Sequence, residues 1–232
     1  LGEAVALAYD GVNVLENVGL GLYGAVVVGA AGTSYTDPVT GEDLEATSSW
    51  RADAHPPRGP SYRDFTLFIQ DEDEIIGTAA MPYLENVEGV VGLNYGLEPL
   101  AERLAQHGSA AAVFRSEVHG DPATPLLEAY PGDLIKIHVL APFSEQAHVF
   151  SLEGHRWPLE PGRVGSALLS SVQLGAMEAL TLEVQAGEPG DYLYGDHREP
   201  YREAGLWGLL RLYDVSADAG LRPLPERGHL ER

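Results

Sequence analysis

The chain is 232 residues long, 44% hydrophobic and 21% charged, with 35 acidic against 14 basic residues and a formal net charge of −21. A field of that sign repels phosphate backbones and anionic membranes, which excludes nucleic acid as an expected partner. No run of about 18 or more apolar residues is present, so no transmembrane helix is expected.

Cysteine is absent. Disulfides, zinc–thiolate sites, thiol nucleophiles and thiolate-ligated copper are therefore outside the chemistry of this chain. Lys136 is the only lysine, the other bases being arginine. The chain begins on Leu1 with no signal peptide, and is expected to be a processed or partial product. Its length suits one large domain, or one domain with part of another.

In chain order, residues 1–32 read as a small β piece. Residues 33–63 are polar and rich in turn formers, and read as a linker. The main domain is expected over 64–216. Its first strand is FTLFIQ (65–70), followed by a long excursion over about 71–116. The excursion opens on DEDE (71–74), whose spacing fits no calcium loop and is read as a solvated turn. It contains VEGVVGLNYG (87–96), a further strand or hairpin, and PLAERLAQHG (99–108), the best helical candidate, with Leu100, Leu104 and a glycine stop.

The strands beyond the excursion are DLIKIHVL (133–140), QAHVFSLEG (146–154), EALTLEVQ (178–185) and LWGLLRLYDV (206–215). DLIKIHVL alternates most clearly, with Ile135, Ile137 and Val139 on one face and Lys136 and His138 on the other. The turns PGD (131–133), EPGR (160–163) and EPGD (188–191) punctuate them. Short strands separated by Pro/Gly turns point to an all-β Greek-key sandwich. Residues 217–232 form a Pro/Arg/Glu tail with nothing to bury.

Two segments carry a resemblance: LEAYPGDLIKIHVLAPFSEQAHVFSLEGHRW (127–157) and PGDYLYGDHREPYREAGLWGLLRLYDV (189–215). Together they resemble the C-terminal cupredoxin domain of multicopper oxidases, the family of the laccases and bacterial metal oxidases. LAYDGVNVLENVGLGLYGAVVV (7–28) looks like the last two strands of a preceding cupredoxin domain. The resemblance spans about 1–32 and 64–216. It implies a cupredoxin-like Greek-key β-sandwich, one complete domain plus a fragment of a second.

The resemblance also implies where copper ligands would stand. The blue-copper site of the family uses two histidines, a cysteine thiolate and a weak methionine. Here those positions hold His148, Asp196 for the cysteine, Tyr201 for the second histidine and Leu206 for the methionine. The trinuclear positions hold Ser151, Glu153, Gly195, His197, Tyr9 and Gly11. Among the ten, His148 and His197 match a ligand type. His155 aligns with the non-ligating histidine of the GH turn.

Without a thiolate no blue-copper centre forms, so copper-dependent oxidase activity is expected to be lost and no cofactor is expected. Copper is the metal the resemblance implies. His148 is read as a buried or half-buried histidine hydrogen-bonded to backbone, with a leftover copper ligand as the alternative. Glu153, His155, Asp196 and His197 are the candidates for any surviving mononuclear metal site. An ion pair of Glu153 with Arg156 or His197 is the competing reading.

DHREPYRE (196–203) is read as a solvated, charge-balanced loop. Trp50, Trp157 and Trp207 are read as packing residues. No P-loop, GxGxxG, HExxH or GxSxG pattern occurs.

The expected role is structural or in assembly. The alternatives are an active copper oxidase component completed by other segments or chains, oxidising phenols or metal ions with O2, and a mononuclear site at Glu153, His155 and His197. The expected partners are other chains or further segments of a larger assembly, because a two-stranded fragment cannot bury its own faces. The resemblance implies an extracytoplasmic location.

Overall fold

The computed structural model describes residues 3–12, 14–44, 48–73, 89–144, 146–214, 216 and 219–225. The strands are β1 (Ala4–Tyr9), β2 (Tyr23–Val28), β3 (Ser34–Thr36), β4 (Arg51–His55), β5 (Tyr62–Asp73), β6 (Gly89–Leu93), β7 (Leu126–Ala129), β8 (Leu134–Phe143), β9 (His148–Leu152), β10 (Trp157–Pro158), β11 (Leu168–Leu169), β12 (Ser171–Leu174), β13 (Glu178–Gln185), β14 (Gly190–Asp196) and β15 (Trp207–Leu212). Among the described residues three short α-helices accompany them: α1 (Leu100–His107), α2 (Ser116–His119) and α3 (Glu199–Ala204).

Two sheets face each other. One runs β12-β9-β14-β15-β7; the other runs β13-β8-β5-β4-β3, with β6 beside the far end of β5. Alternation sends Phe65, Leu67 and Ile69 of β5 and Ile135, Ile137 and Val139 of β8 to the inner face. There they meet Phe150 and Leu152 of β9, Tyr194 of β14 and Leu210 and Leu212 of β15. Trp157 and Trp207 are buried, and Trp50 packs on the core edge.

Strands β1 and β2 form a sheet of their own, paired from Ala4↔Val28 to Tyr9↔Tyr23. This hairpin lies on the outer face of the larger sheet. Tyr23 meets Phe68 and Tyr95, with ring centroids 5.1 and 5.4 Å away, and its hydroxyl donates to Gln70 at 2.9 Å. Lys136 of β8 pairs with Glu3. Consequently β8 is covered on both faces: Lys136 and His138, placed by their alternation on a polar side, are buried as well.

Several expectations need correction. The stretch 33–63 is no simple connector, since it supplies β3, β4 and the start of β5 to the larger sheet. Polar side chains do not prevent this because they are paired: buried Arg63 holds Asp53 at 2.6 and 2.7 Å and Asp133 at 3.0 Å. Burial pushes the Asp53 carboxyl up from its ordinary range, against the opposing pull of Arg63.

The tail also has something to bury. Leu221 and Leu224 are in the core set, and the carbonyls of Leu221 and Arg222 accept from Tyr130 and Arg63. Its last seven residues, 226–232, lie outside the described residues.

DEDE does not begin as a solvated turn: Asp71 to Asp73 continue β5, and Asp71 is buried. Glu74 lies outside the described residues, as do the first two residues of the expected 87–96 hairpin. Its remainder forms β6, paired with β5.

The helix α1 falls where expected and stops at Gly108, at φ +64°. Its buried side chain is Arg103 rather than a leucine. Arg103 pairs with Glu98 at 2.7 Å, donates to the carbonyls of Val113 and Gly120, and lies over the Trp207 ring.

Candidate functional site

The end of the sandwich where β9 and β14 lie side by side brings together the positions His148, Asp196, Tyr201 and Leu206. In β9 the core-lining residues are Phe150 and Leu152, so period two puts His148 on the same inner face. In β14 the same rule carries Asp196 inward two residues after Tyr194. Both side chains have no solvent exposure, and His148 Nδ1 lies 2.6 Å from Asp196 Oδ2.

The other carboxylate oxygen of Asp196 accepts from the backbone N–H groups of Arg198 at 2.8 Å and Val149 at 3.3 Å. The second of these links Asp196 to its neighbouring strand, the first to the turn that opens α3. His148 Nε2 is buried and, among the described residues, has no hydrogen-bond partner.

Helix α3 supplies the next layer. Tyr201 is buried and sets its ring edge-on to His148, with centroids 5.1 Å apart. Its hydroxyl donates to Asp71 Oδ2 at 2.8 Å. Burial pushes the Tyr201 phenol far above its ordinary value, and the neighbouring Asp71 charge adds to the rise. The Arg198 guanidinium lies over the Tyr201 ring, 4.6 Å from its centroid, and donates to the Ala147 carbonyl. Leu206 is fully buried beside them. The segment 196–203 is therefore no solvated loop. Its alternating charges hide two inward side chains, Asp196 and Tyr201.

His148 makes its hydrogen bond to a carboxylate rather than to the backbone partner expected of it. The other candidates do not join it. The strand β9 ends at Leu152, and Gly154 turns at φ +71°, so alternation no longer relates Glu153 to His155. His155 is buried; its Nδ1 lies 3.0 Å from the Glu153 carbonyl oxygen, and its Nε2 accepts from the Gly187 N–H at 3.2 Å. Its ring packs edge-on to Tyr192.

Glu153 is half exposed, with Arg202 at 4.0 Å as its cationic neighbour in place of Arg156 or His197. His197 is exposed, 3.3 Å from Arg202. A guanidinium thus stands beside both Glu153 and His197. Among the described residues no three His, Cys, Asp or Glu side chains are grouped to hold a metal ion.

One network was missed by the sequence reading. His138 Nε2 lies 2.8 Å from Asp64 Oδ1, and its Nδ1 lies 2.8 Å from the Thr181 hydroxyl. These residues occupy the outer face of the larger sheet, close to Lys136, Glu183 and Tyr62. Alternation within DLIKIHVL marked them as facing away from the core. Nothing local indicated that the hairpin would cover them.

No family model matches the sequence, and no curated protein matches it. Solved structures do match. The laccase from Botrytis aclada aligns over 94% of this chain and 36% of its own, at TM-score 0.55 and 14% identity. The multicopper oxidase mgLAC aligns over 90% of this chain and 56% of its own, at TM-score 0.52 and 16% identity. The chain spans about a third of the first and just over half of the second. The fold is the cupredoxin-like β-sandwich expected from the sequence, with the two-stranded fragment beside it.

The residues present do not fit the copper centres of that resemblance. The blue-copper positions offer one imidazole, a carboxylate hydrogen-bonded to it, a phenol and an isobutyl group, with no thiolate anywhere in the chain. At the trinuclear positions Gly195 has φ +139°, and a Cβ there would stand 2.3 Å from the Leu206 carbonyl oxygen. The backbone thus has no room for the ligand that the resemblance places at this residue.

Proposed function

We propose that this chain is a cupredoxin-type module that has given up copper-dependent oxidase chemistry and serves a structural or assembly role. The observation that carries this reading is the closure of the blue-copper position by the buried His148–Asp196 hydrogen bond. A carboxylate at 2.6 Å takes the place a metal would need between the two side chains. Tyr201 and Leu206 fill the remaining space with groups that coordinate poorly or not at all. Its partners in this reading are other chains or further segments of a larger assembly. An extracytoplasmic location belongs to the same reading and rests on the sequence resemblance.

The test is copper loading of the purified protein, followed by dialysis, metal analysis and a visible spectrum. The expected outcome is no retained stoichiometric copper, no blue band and no O2 uptake with phenols or ferrous ion. Stoichiometric copper lost on His148→Ala would overturn the reading. Replacing Asp196 with cysteine and Tyr201 with histidine together is expected to introduce copper-dependent absorbance, because β9 and β14 are already adjacent and helix α3 sets position 201 against His148.

A further inference from the structure

The segment between β6 and β7 carries two histidines that belong to neither polar network above. His107 stands in the last turn of α1 and His119 in the last turn of α2, and their rings meet edge-on with centroids 5.0 Å apart. His119 is half-buried, and both its ring nitrogens are shut off from solvent and, among the described residues, lack a hydrogen-bond partner. An uncharged imidazole tolerates that better than an imidazolium, which would bury a charge and two N–H donors together.

The surrounding charges also oppose a proton on His119. Arg103 of α1 is buried, and its guanidinium donates to the Gly120 carbonyl at 3.1 Å, one residue beyond His119. Its carboxylate partner Glu98 holds it at 2.7 Å and also accepts from the Ala123 N–H at 2.9 Å. On α2 itself Glu117 lies 3.6 Å from Arg115, and Asp121 beyond it is held by Arg211 at 2.7 Å. Desolvation, then the charges of Arg103 and His107, hold the His119 imidazole below its ordinary value, against a weaker opposing pull from Glu98. A helix C-terminus ordinarily favours the protonated form. Here that benefit falls to exposed His107, because α2 is a single turn and the Gly120 carbonyl beyond it is taken by Arg103.

The two helices cover Trp207. Phe114, between them, packs edge-on to its ring at 4.9 Å, Arg103 lies over the ring at 4.8 Å, and the indole N–H donates to the Glu98 carbonyl at 2.8 Å.

We propose that His107 and His119 form an acid-released clasp: protonation of His119 separates the ends of α1 and α2 and loosens the 98–120 segment from Trp207, while the sandwich stays folded. Arg103, His107 and His119 are then three cations at one end of the segment. The open segment takes up its proton at the ordinary histidine value of about 6.5 and the closed one only below it, so falling pH favours opening. The closed form is at full strength above about pH 7, and one proton shifts the open-to-closed ratio by up to about tenfold per pH unit.

His138, His148 and His155 are buried in or against the sheets, so a regional readout separates the clasp from them. Hydrogen exchange of the whole chain is followed at about pH 7.5 and about pH 5.5, either side of the ordinary histidine value, and corrected for the intrinsic pH dependence of exchange. Peptides from 98–120 are expected to lose protection on acidification, with β9 and β14 unchanged. In His119→Phe, which keeps an edge-on ring but takes no proton, that loss should vanish; in His107→Gln it should shrink. The same loss in His119→Phe, or unchanged protection in the native chain, would overturn the clasp. A second measurement is independent of how the phenylalanine packs. The His119 ring resonance of the native chain, assigned by its absence in His119→Gln, should titrate below the ordinary histidine value, and titration at or above that value would overturn the proposal.

Discussion

Two buried histidines each meet an aspartate in this molecule, and they do different work. His148 and Asp196 sit at one end of the core, fully buried, with His148 Nε2 left without a hydrogen-bond partner among the described residues. His138 and Asp64 sit on the outer face of the larger sheet, beneath the hairpin, with His138 Nδ1 hydrogen-bonded to the Thr181 hydroxyl and Nε2 at 2.8 Å from Asp64 Oδ1. The first pair fills a position inside a sandwich. The second belongs to a polar layer, with Lys136, Glu3 and Glu183, that joins two separate sheets. Position alone decides the difference. A polar pair among inner-face residues has few further donors available, whereas one on the outer face reaches the Thr181 hydroxyl of the neighbouring strand β13.

The comparison is broken most severely at the core end. Asp196→Ala leaves His148 buried without its carboxylate and frees the Arg198 and Val149 N–H groups; a loss of about 3–5 kcal/mol is expected from denaturant unfolding. Replacing both His148 and Asp196 by leucine should recover most of that loss, because the desolvated pair is then removed rather than halved. If Asp196→Ala costs under about 1 kcal/mol, the figure for an exposed pair, the core end is more hydrated than its burial implies. Next in size, Gly195→Ala should cost roughly 2–3 kcal/mol, since the positive φ and the Leu206 carbonyl both oppose a Cβ.

At the sheet–hairpin layer, Asp64→Ala is expected to cost about 1–3 kcal/mol by leaving His138 less well satisfied. Hydrogen exchange should locate the change in β1 and β2, with β9 and β14 unaffected; equal loss in all four strands would erase the distinction between the regions.

Tyrosines report on both places at once. Tyr201, beside His148, and Tyr62, under Lys136, both have phenols raised above their ordinary value by burial, with Asp71 and Asp64 respectively adding to it. Below about pH 10 the phenol is protonated in both folded and unfolded chains, so it adds no pH dependence. Above it the unfolded chain releases protons that the folded one retains, and stability falls as pH rises. Ultraviolet titration should show part of the phenolate signal appearing only as the chain unfolds. The smallest effect is expected at Glu153→Gln: half exposed and 4.0 Å from Arg202, it should change stability by under about 0.5 kcal/mol.

Much of the fold was legible because period-two patterns report local backbone state. EALTLEVQ coincides with β13, LWGLLRLYDV and QAHVFSLEG each contain their strand, and DLIKIHVL covers β8 except its last three residues. The candidate site was legible only in part. Alternation could assign His148 to the inner face, but the pairing of His148 with Asp196 depends on β9 lying beside β14, 48 residues apart. The expected Glu153–His155 cluster failed because alternation was carried past the end of a strand, where Gly154 reverses the backbone. The linker reading of 33–63 failed for another reason. Arg63 is polar by composition, yet it is buried because Asp53 and Asp133 converge on it.

By itself the sequence determined the chemistry that is out of reach: without cysteine there is no thiolate, whatever the fold. It also determined the all-β character, through alternation and turn residues that act over a few positions. Tertiary structure alone decided which polar residues are buried and with whom. His148 with Asp196, Tyr201 with Asp71, and Lys136 with Glu3 are contacts between segments far apart in the chain. The cost of desolvating a charge or a hydroxyl is met only when a distant partner arrives, and no local pattern records that arrival.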